Sequence, residues 1–124
     1  MAFTIATGNK VLNKILRNVD FAAPTALKVS LHTGDPGESG TSEVVGGDYG
    51  RKSVIFNAAS NKISTSTAVL EWENMPACTV KYVGLWDTES PANFWWSGEL
   101  GTYKTLDAGD TIRIKAQNLL ATLT

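Results

Sequence analysis

The chain has 124 residues, 43% hydrophobic and 19% charged, which suits one domain around one core. Its formal net charge of −1 excludes a global field that would draw it to nucleic acid or to an anionic membrane. The single cysteine, Cys78, excludes an intrachain disulfide and a Cys-based zinc site, and reads as a buried, inert thiol.

No apolar run approaches the ~18 residues of a membrane span. The N-terminus lacks the basic region and long apolar core of a secretory signal, so synthesis as a soluble cytosolic product is expected. Residues 1–25 form an N-terminal segment, and residues 8–19 carry the helical pattern. Val11, Leu12, Ile15, Leu16 and Val19 make one apolar stripe, while Lys10, Asn13, Lys14, Arg17 and Asn18 take the other face. Thr7 or Asn9 is placed to cap the start, and Asp20 and Pro24 bracket the exit. The stripe has two readings. It packs on the domain's own sheet, or it is an arm that docks on a neighbouring subunit.

Residues 26–124 read as a β body. In residues 27–32 strict alternation puts Leu27, Val29 and Leu31 inward and Lys28, Ser30 and His32 outward. Residues 33–50 are a long Gly-rich loop. In it Asp35-Pro36-Gly37 has the chemistry of a tight turn, and Val44, Val45 and Tyr49 are able to pin it to an apolar surface of the domain or of a partner. Residues 51–57 predict a strand with Val54 and Phe56 on one face and Ile55 on the other. A polar, turn-rich stretch follows, with Ile63 its only large apolar group, and residues 68–72 are the next strand. Residues 80–87 form the central strand. Val80, Tyr82, Gly84 and Trp86 point one way and Lys81, Val83 and Leu85 the other, a pattern that needs cover on both sides. Residues 94–100 return as its hairpin partner, with Phe94 and Trp96 on one face and Trp95 on the other. Residues 111–115 alternate with Ile112 and Ile114 inward, and residues 118–124 close the chain with Leu120 and Leu123 as its inward candidates. The expected fold is mainly β: a single-domain, jelly-roll-like antiparallel β-sandwich of seven to eight strands with one N-terminal helix.

Catalytic chemistry finds little support. His32 is the only histidine and no nucleophile-elbow motif is present, so it is expected to be exposed or loop-bonded at a strand end. Asp35, Glu38, Glu43 and Asp48 share the loop, but their spacing is not that of a calcium-binding EF-hand. Asp87, Glu89 and Glu99 read as solvated turn positions rather than a glycosidase pair. The loop lacks the Gly-Lys-Ser/Thr ending of a phosphate cradle. Trp95 or Trp96, if exposed, offers a platform for sugar stacking, although core or interface packing is the commoner use of such residues. The expectation is a protein with no enzymatic activity, no cofactor and no metal, and with no nucleic-acid or membrane partner.

A resemblance adds to this. Residues 31–41, Glu43-Val44, Gly46-Gly47, Tyr49-Gly50-Arg51, Val83-Gly84-Leu85-Trp86-Asp87 and the closing Ala108-Gly109-Asp110-Thr111 resemble a family of small tailed-bacteriophage virion proteins labelled tail fibre or structural proteins. The resemblance implies a particle component located in the virion after synthesis in the host cytoplasm. It gives as partners the phage major capsid protein or tail and baseplate proteins, and a homo-oligomer such as a trimer. The chain is too short for a long fibre shaft. The expected role is therefore a capsid cement or decoration protein binding across capsomers, with a tail or tail-fibre attachment module, including one that binds carbohydrate for host recognition, as the alternative. The residues expected to touch partners are Val11, Leu12, Ile15, Leu16, Val44, Val45, Tyr49 and Trp95.

Overall fold

The computed structural model describes residues 2–122. Its elements in chain order are β1 (Ala2–Phe3), α1 (Ile5–Arg17), β2 (Leu27–His32), β3 (Lys52–Val54), β4 (Ile63–Thr65), β5 (Leu70–Trp72), β6 (Cys78–Asp87), β7 (Phe94–Leu106), β8 (Ile112–Ile114) and β9 (Leu120–Thr122). The fold is mainly β, with antiparallel sheets and one N-terminal helix, as the sequence predicts. Nine strands are present among the described residues, beyond the seven to eight expected. The short β1 is one addition, since two residues carry no periodic signal.

A five-stranded sheet runs in the order β1-β7-β6-β2-β3. Two ribbons, β4–β9 and β5–β8, complete the body. The apolar face of β2, carrying Val29 and Leu31, meets Leu70 and Trp72 of β5, Ile112 of β8 and Leu119 in one core. This gives a sandwich-like arrangement in which the main sheet is closed on one side by ribbons.

The central strand β6 departs from simple alternation. Its pairing with β7 slips between Val80 and Tyr82, and this irregularity puts Val80 with Val83 and Leu85 in the core instead of opposite them. A second slip follows Leu85, so Trp96 pairs with Leu85 and Phe94 with Trp86. Phe94 and Trp96 therefore lie on opposite faces, against expectation. Phe94 packs on Trp86, and Trp96 stacks on Phe3 of β1. Strand β7 also runs six residues past the expected end, through Gly101 to Leu106. Only its Trp96–Ser97 pair is covered by β1 on the outer side, so most of its length is a sheet edge.

The second face of β6 is covered by the loop of residues 33–50, not by another sheet. Val44 N–H donates to Leu31 O, and His32 and Glu43 form an isolated antiparallel bridge, which folds the loop back over β2. Pro36 is fully buried, and its carbonyl accepts from the N–H of Gly40 and of Thr41, both at 3.0 Å. Gly40, at φ 77°, lies so close to the Trp86 ring that a Cβ there would overlap it. Both faces of the central strand are thus covered, as its composition predicts. At the chain end the inward residue is Leu119, with Leu120 exposed, one residue out of step with the expectation. Leu123 lies outside the described residues.

Candidate interaction surface

The helix begins three residues earlier than its apolar stripe suggests. Thr4 is the N-cap, accepting from Thr7 N–H at 3.2 Å, in place of the expected Thr7 or Asn9. Asn18, in the left-handed conformation, closes the far end, where Val19 N–H donates to Asn13 O. The body holds the helix through polar groups. Thr4 N–H and Thr7 Oγ1 both donate to the carbonyl of Trp95, at 3.1 and 2.9 Å, and Lys10 Nζ sits 4.6 Å above the Trp95 ring. Glu38 of the loop accepts from Ile5 N–H at the first turn. Val11 is half-buried and lines an apolar cleft with Phe3, Ile63 and Trp96.

The other side of the helix faces water. Ile5 is 70% exposed, Leu12 56%, Ile15 73% and Leu16 74%, and Thr7 is the helix's one buried residue. An amphipathic helix ordinarily turns its apolar stripe to its own core. Here Leu12, Ile15, Leu16 and Val19 of the stripe are turned outward, and only Val11 meets the chain's own sheet.

The remaining candidate contacts divide. Val45 is 88% exposed at the outer surface of the loop. Val44 and Trp95, by contrast, are buried in the chain's own interior, and this corrects their assignment as partner contacts. Val44 joins the main core because β2 hydrogen-bonds its backbone. Trp95 is drawn in by Asp87, which accepts its indole N–H at 3.1 Å, and Lys10 and Phe21 lie over it. It offers no open ring face for a sugar. Trp96 is partly covered by Phe3. Tyr49 is half-buried, its hydroxyl accepting from Leu31 N–H at 3.0 Å and donating to Glu43 at 2.6 Å. Exposed apolar side chains outside the expected contacts include Ile5, Ile55 and Val69. For Ile55 the signal is its place on the strand face opposite Val54 and Phe56.

His32 is fully buried, not exposed, and is loop-bonded at the end of β2, the other of its two expected states. Its Nδ1 lies 2.8 Å from Thr41 O, which can only accept, so Nδ1 carries the proton and Nε2 receives one from Ser30 Oγ at 2.6 Å. Ser30 Oγ in turn accepts the Trp86 indole N–H at 2.8 Å. Burial pulls His32 below its ordinary value of 6.5, against the opposing pull of the Thr41 hydrogen bond and Glu43. A serine hydroxyl on a histidine nitrogen is the pairing used in nucleophilic catalysis. Both side chains are shut off from solvent in this conformation, and the serine oxygen is already engaged. The pair fastens loop to sheet.

Beside it, Glu43 accepts from Arg51 at 2.9 and 3.0 Å, and the Arg51 guanidinium lies 3.7 Å over the Trp86 ring. Burial raises the Glu43 carboxyl, but hydrogen bonds from Arg51 and Tyr49 outweigh it and leave the group below its ordinary value. The four loop acids go to separate tasks. Asp35 caps Gly37 N–H, Glu38 holds the helix, Glu43 pairs with Arg51 and Asp48 accepts from Asn74. Asp87 is buried, not solvated. Its carboxylate accepts from the N–H of Glu89 and Asn93, from the Asn93 side chain and from Trp95, tying the β6–β7 turn to the sheet. No helix among the described residues is long and apolar enough to cross a membrane.

A family model described as Podophage GP4 fiber I protein gp80 matches residues 2–122. The chain belongs to this family. The match takes in α1 together with every strand, so the outward-facing helix is part of the gp80 family unit and not an appendage to it. Membership makes the chain one of a phage virion structural family, at the level the motif resemblance implies. The gp80 family's description as a fibre protein agrees with the tail-fibre alternative better than with the capsid cement reading. No curated protein matches the chain.

Proposed function

We propose that this chain is a structural module of a bacteriophage tail fibre that works by binding other virion proteins, without catalysis. The observation that carries the reading is the match of residues 2–122 to a fibre protein family. The geometry supports it. The polar groups that resemble a reactive site are consumed in holding the fold, while the apolar groups of α1, with Val45, Ile55 and Val69, are left at the surface. Such a surface suits attachment to the tail or baseplate and assembly into a homo-oligomer, where repeated modest contacts add through avidity.

Electron cryomicroscopy of purified particles tests this. Density for the chain on the tail is the expected result. A location on the head lattice, at a copy number set by the capsomers, would favour the cement role instead. Absence from washed virions would remove the structural reading altogether.

A further inference from the structure

We propose that α1 packs against α1 of further copies of this chain, with Ile5, Leu12, Ile15 and Leu16 forming the seam of a homo-oligomer. The inference deepens the binding role proposed above by naming the occupant of the helix face. It starts from spacing. Ile5 and Leu12 are seven residues apart, and Gly8 and Ile15 follow each of them by three. That is the three-and-four alternation by which helices interlock side by side. Leu16 widens the strip on one side. Nothing lies within 4 Å of where a Cβ on Gly8 would stand, so the missing side chain leaves a hollow in the strip. A glycine inside a helix is destabilising relative to alanine, and a hollow that admits a partner's side chain is a physical use for it.

Charge favours a second copy over an unlike partner. The positions flanking the strip are Asn9, Val11 and Asn18, all uncharged, so like helices meet without repulsion. The helix has no acidic residue in its first turn. Of its three cations, Lys10 lies on the Trp95 ring, Lys14 pairs with Asp20, and Arg17 stands in the last turn off the strip of Ile5, Leu12 and Ile15. A strongly acidic partner would thus find little at the seam to recognise, and an apolar helix of the same kind fits it.

Area points the same way. Four large aliphatic side chains at these exposures offer on the order of 400–500 Å² of apolar surface, a substantial part of the ~800 Å² each partner contributes to a stable specific interface. The helix is also ready to bind. A free helix of this length is marginal in water, but this one is held by its Thr4 cap, by Thr7 on the Trp95 carbonyl and by β1 in the sheet. Little ordering remains to oppose association.

Sedimentation equilibrium of the purified full chain tests the seam directly. The expected result is a mass that is a multiple of 13.3 kDa, falling to one chain in the double variant Leu12→Asp, Ile15→Asp with its circular dichroism unchanged. Tyr103→Asp, on an exposed residue of β7 outside the proposed binding surface, is expected to leave the assembly intact. A wild-type chain that is monomeric at about 100 μM, well above the micromolar range of weak specific association, overturns the proposal. So does a double variant that keeps the wild-type mass. Ile15→Cys in a Cys78→Ser background gives a second reading that does not depend on tolerance of aspartate. Mild oxidation should yield an interchain disulfide, and a chain that stays single under oxidant refutes the seam. None of these measurements involves the virion, so the assignment to a fibre stands or falls separately.

Discussion

Trp86 reaches across the sheet to Ser30, its indole N–H donating to the serine oxygen at 2.8 Å. The contact joins β6 to β2 on the face opposite the main core, and the loop of residues 33–50 is laid over it. Around it stand Phe94, Gly84, Gly40 and the Arg51 guanidinium. The face that strand alternation marks as outward on β2 is therefore a second interior, with a hydrogen-bonded polar centre.

Trp86→Ala should lower stability by ~3–5 kcal/mol, the range for losing a buried aromatic. It removes the ring that Gly40, Phe94 and Arg51 pack against and leaves the Ser30 oxygen without its donor. Chemical denaturation followed by circular dichroism measures this. A variant as stable as wild type would mean that the loop is not held by this ring.

Gly84→Ala is expected to cost about 1–3 kcal/mol through overpacking. A Cβ at Gly84 would stand 2.5 Å from the Phe94 ring and 2.7 Å from Ser30 Oγ, inside contact distance of both. Gly101→Ala, where nothing lies within 4 Å, is the control and should be nearly neutral. Equal effects at the two sites would show that backbone freedom, not close packing, explains the glycine at 84.

Stability should fall on mild acidification in two stages. His32 is held below 6.5, primarily by burial, so the unfolded chain takes up this proton more readily than the folded one. Its contribution is complete above pH 6.5 and is lost as pH drops through the lower folded value. Glu43, burial notwithstanding, is held below 4.5 by Arg51 and Tyr49, and its contribution is present above 4.5 and lost below it. Denaturation midpoints collected between pH 8 and pH 3 should show the first decline beginning near 6.5. His32→Gln should flatten that first stage. Persistence of the first stage in this variant would assign it to another group.

Asp87→Asn keeps the shape of the side chain but replaces one accepting oxygen with an amide NH2, a donor turned toward donors. Four N–H groups point at the Asp87 carboxylate, and an amide cannot accept from all of them. A loss of roughly 1.5–3 kcal/mol follows from the worth of hydrogen bonds to a charged group. Hydrogen exchange should report the first loss of protection in the turn of residues 88–93 and at the Trp95 indole. Uniform loss across all strands would instead mean that Asp87 supports the whole sheet.

The sequence makes β2 legible to the residue, because Leu27, Val29 and Leu31 alternate without a break. It marks β6 as covered on both sides, because its two residue sets are both largely apolar. It does not reveal what covers the second face, since Ser30 and His32 have the polarity of solvent-facing positions and are buried only because a loop supplies their hydrogen-bond partners. The pairing slips in β6 and β7 are invisible for a related reason. Periodicity assumes a regular pleat, and two irregular steps broke it, the first moving Val80 into the core and the second setting Phe94 and Trp96 apart. At the surface, the stripe of α1 is plain in the sequence, but its direction is not. That depends on Thr4 and Thr7 finding one carbonyl, that of Trp95.

The helix is mounted largely by hydrogen bonds to a carbonyl, a cation over a ring and a single half-buried valine. Its attachment therefore does not use up its oil. A lone chain carries that oily strip through solution, and its net charge of −1 supplies little mutual repulsion to keep chains apart. Its practical limit is then solubility before stability: concentrated chains should associate while still fully folded, and conditions that protect the fold will not by themselves keep it dispersed.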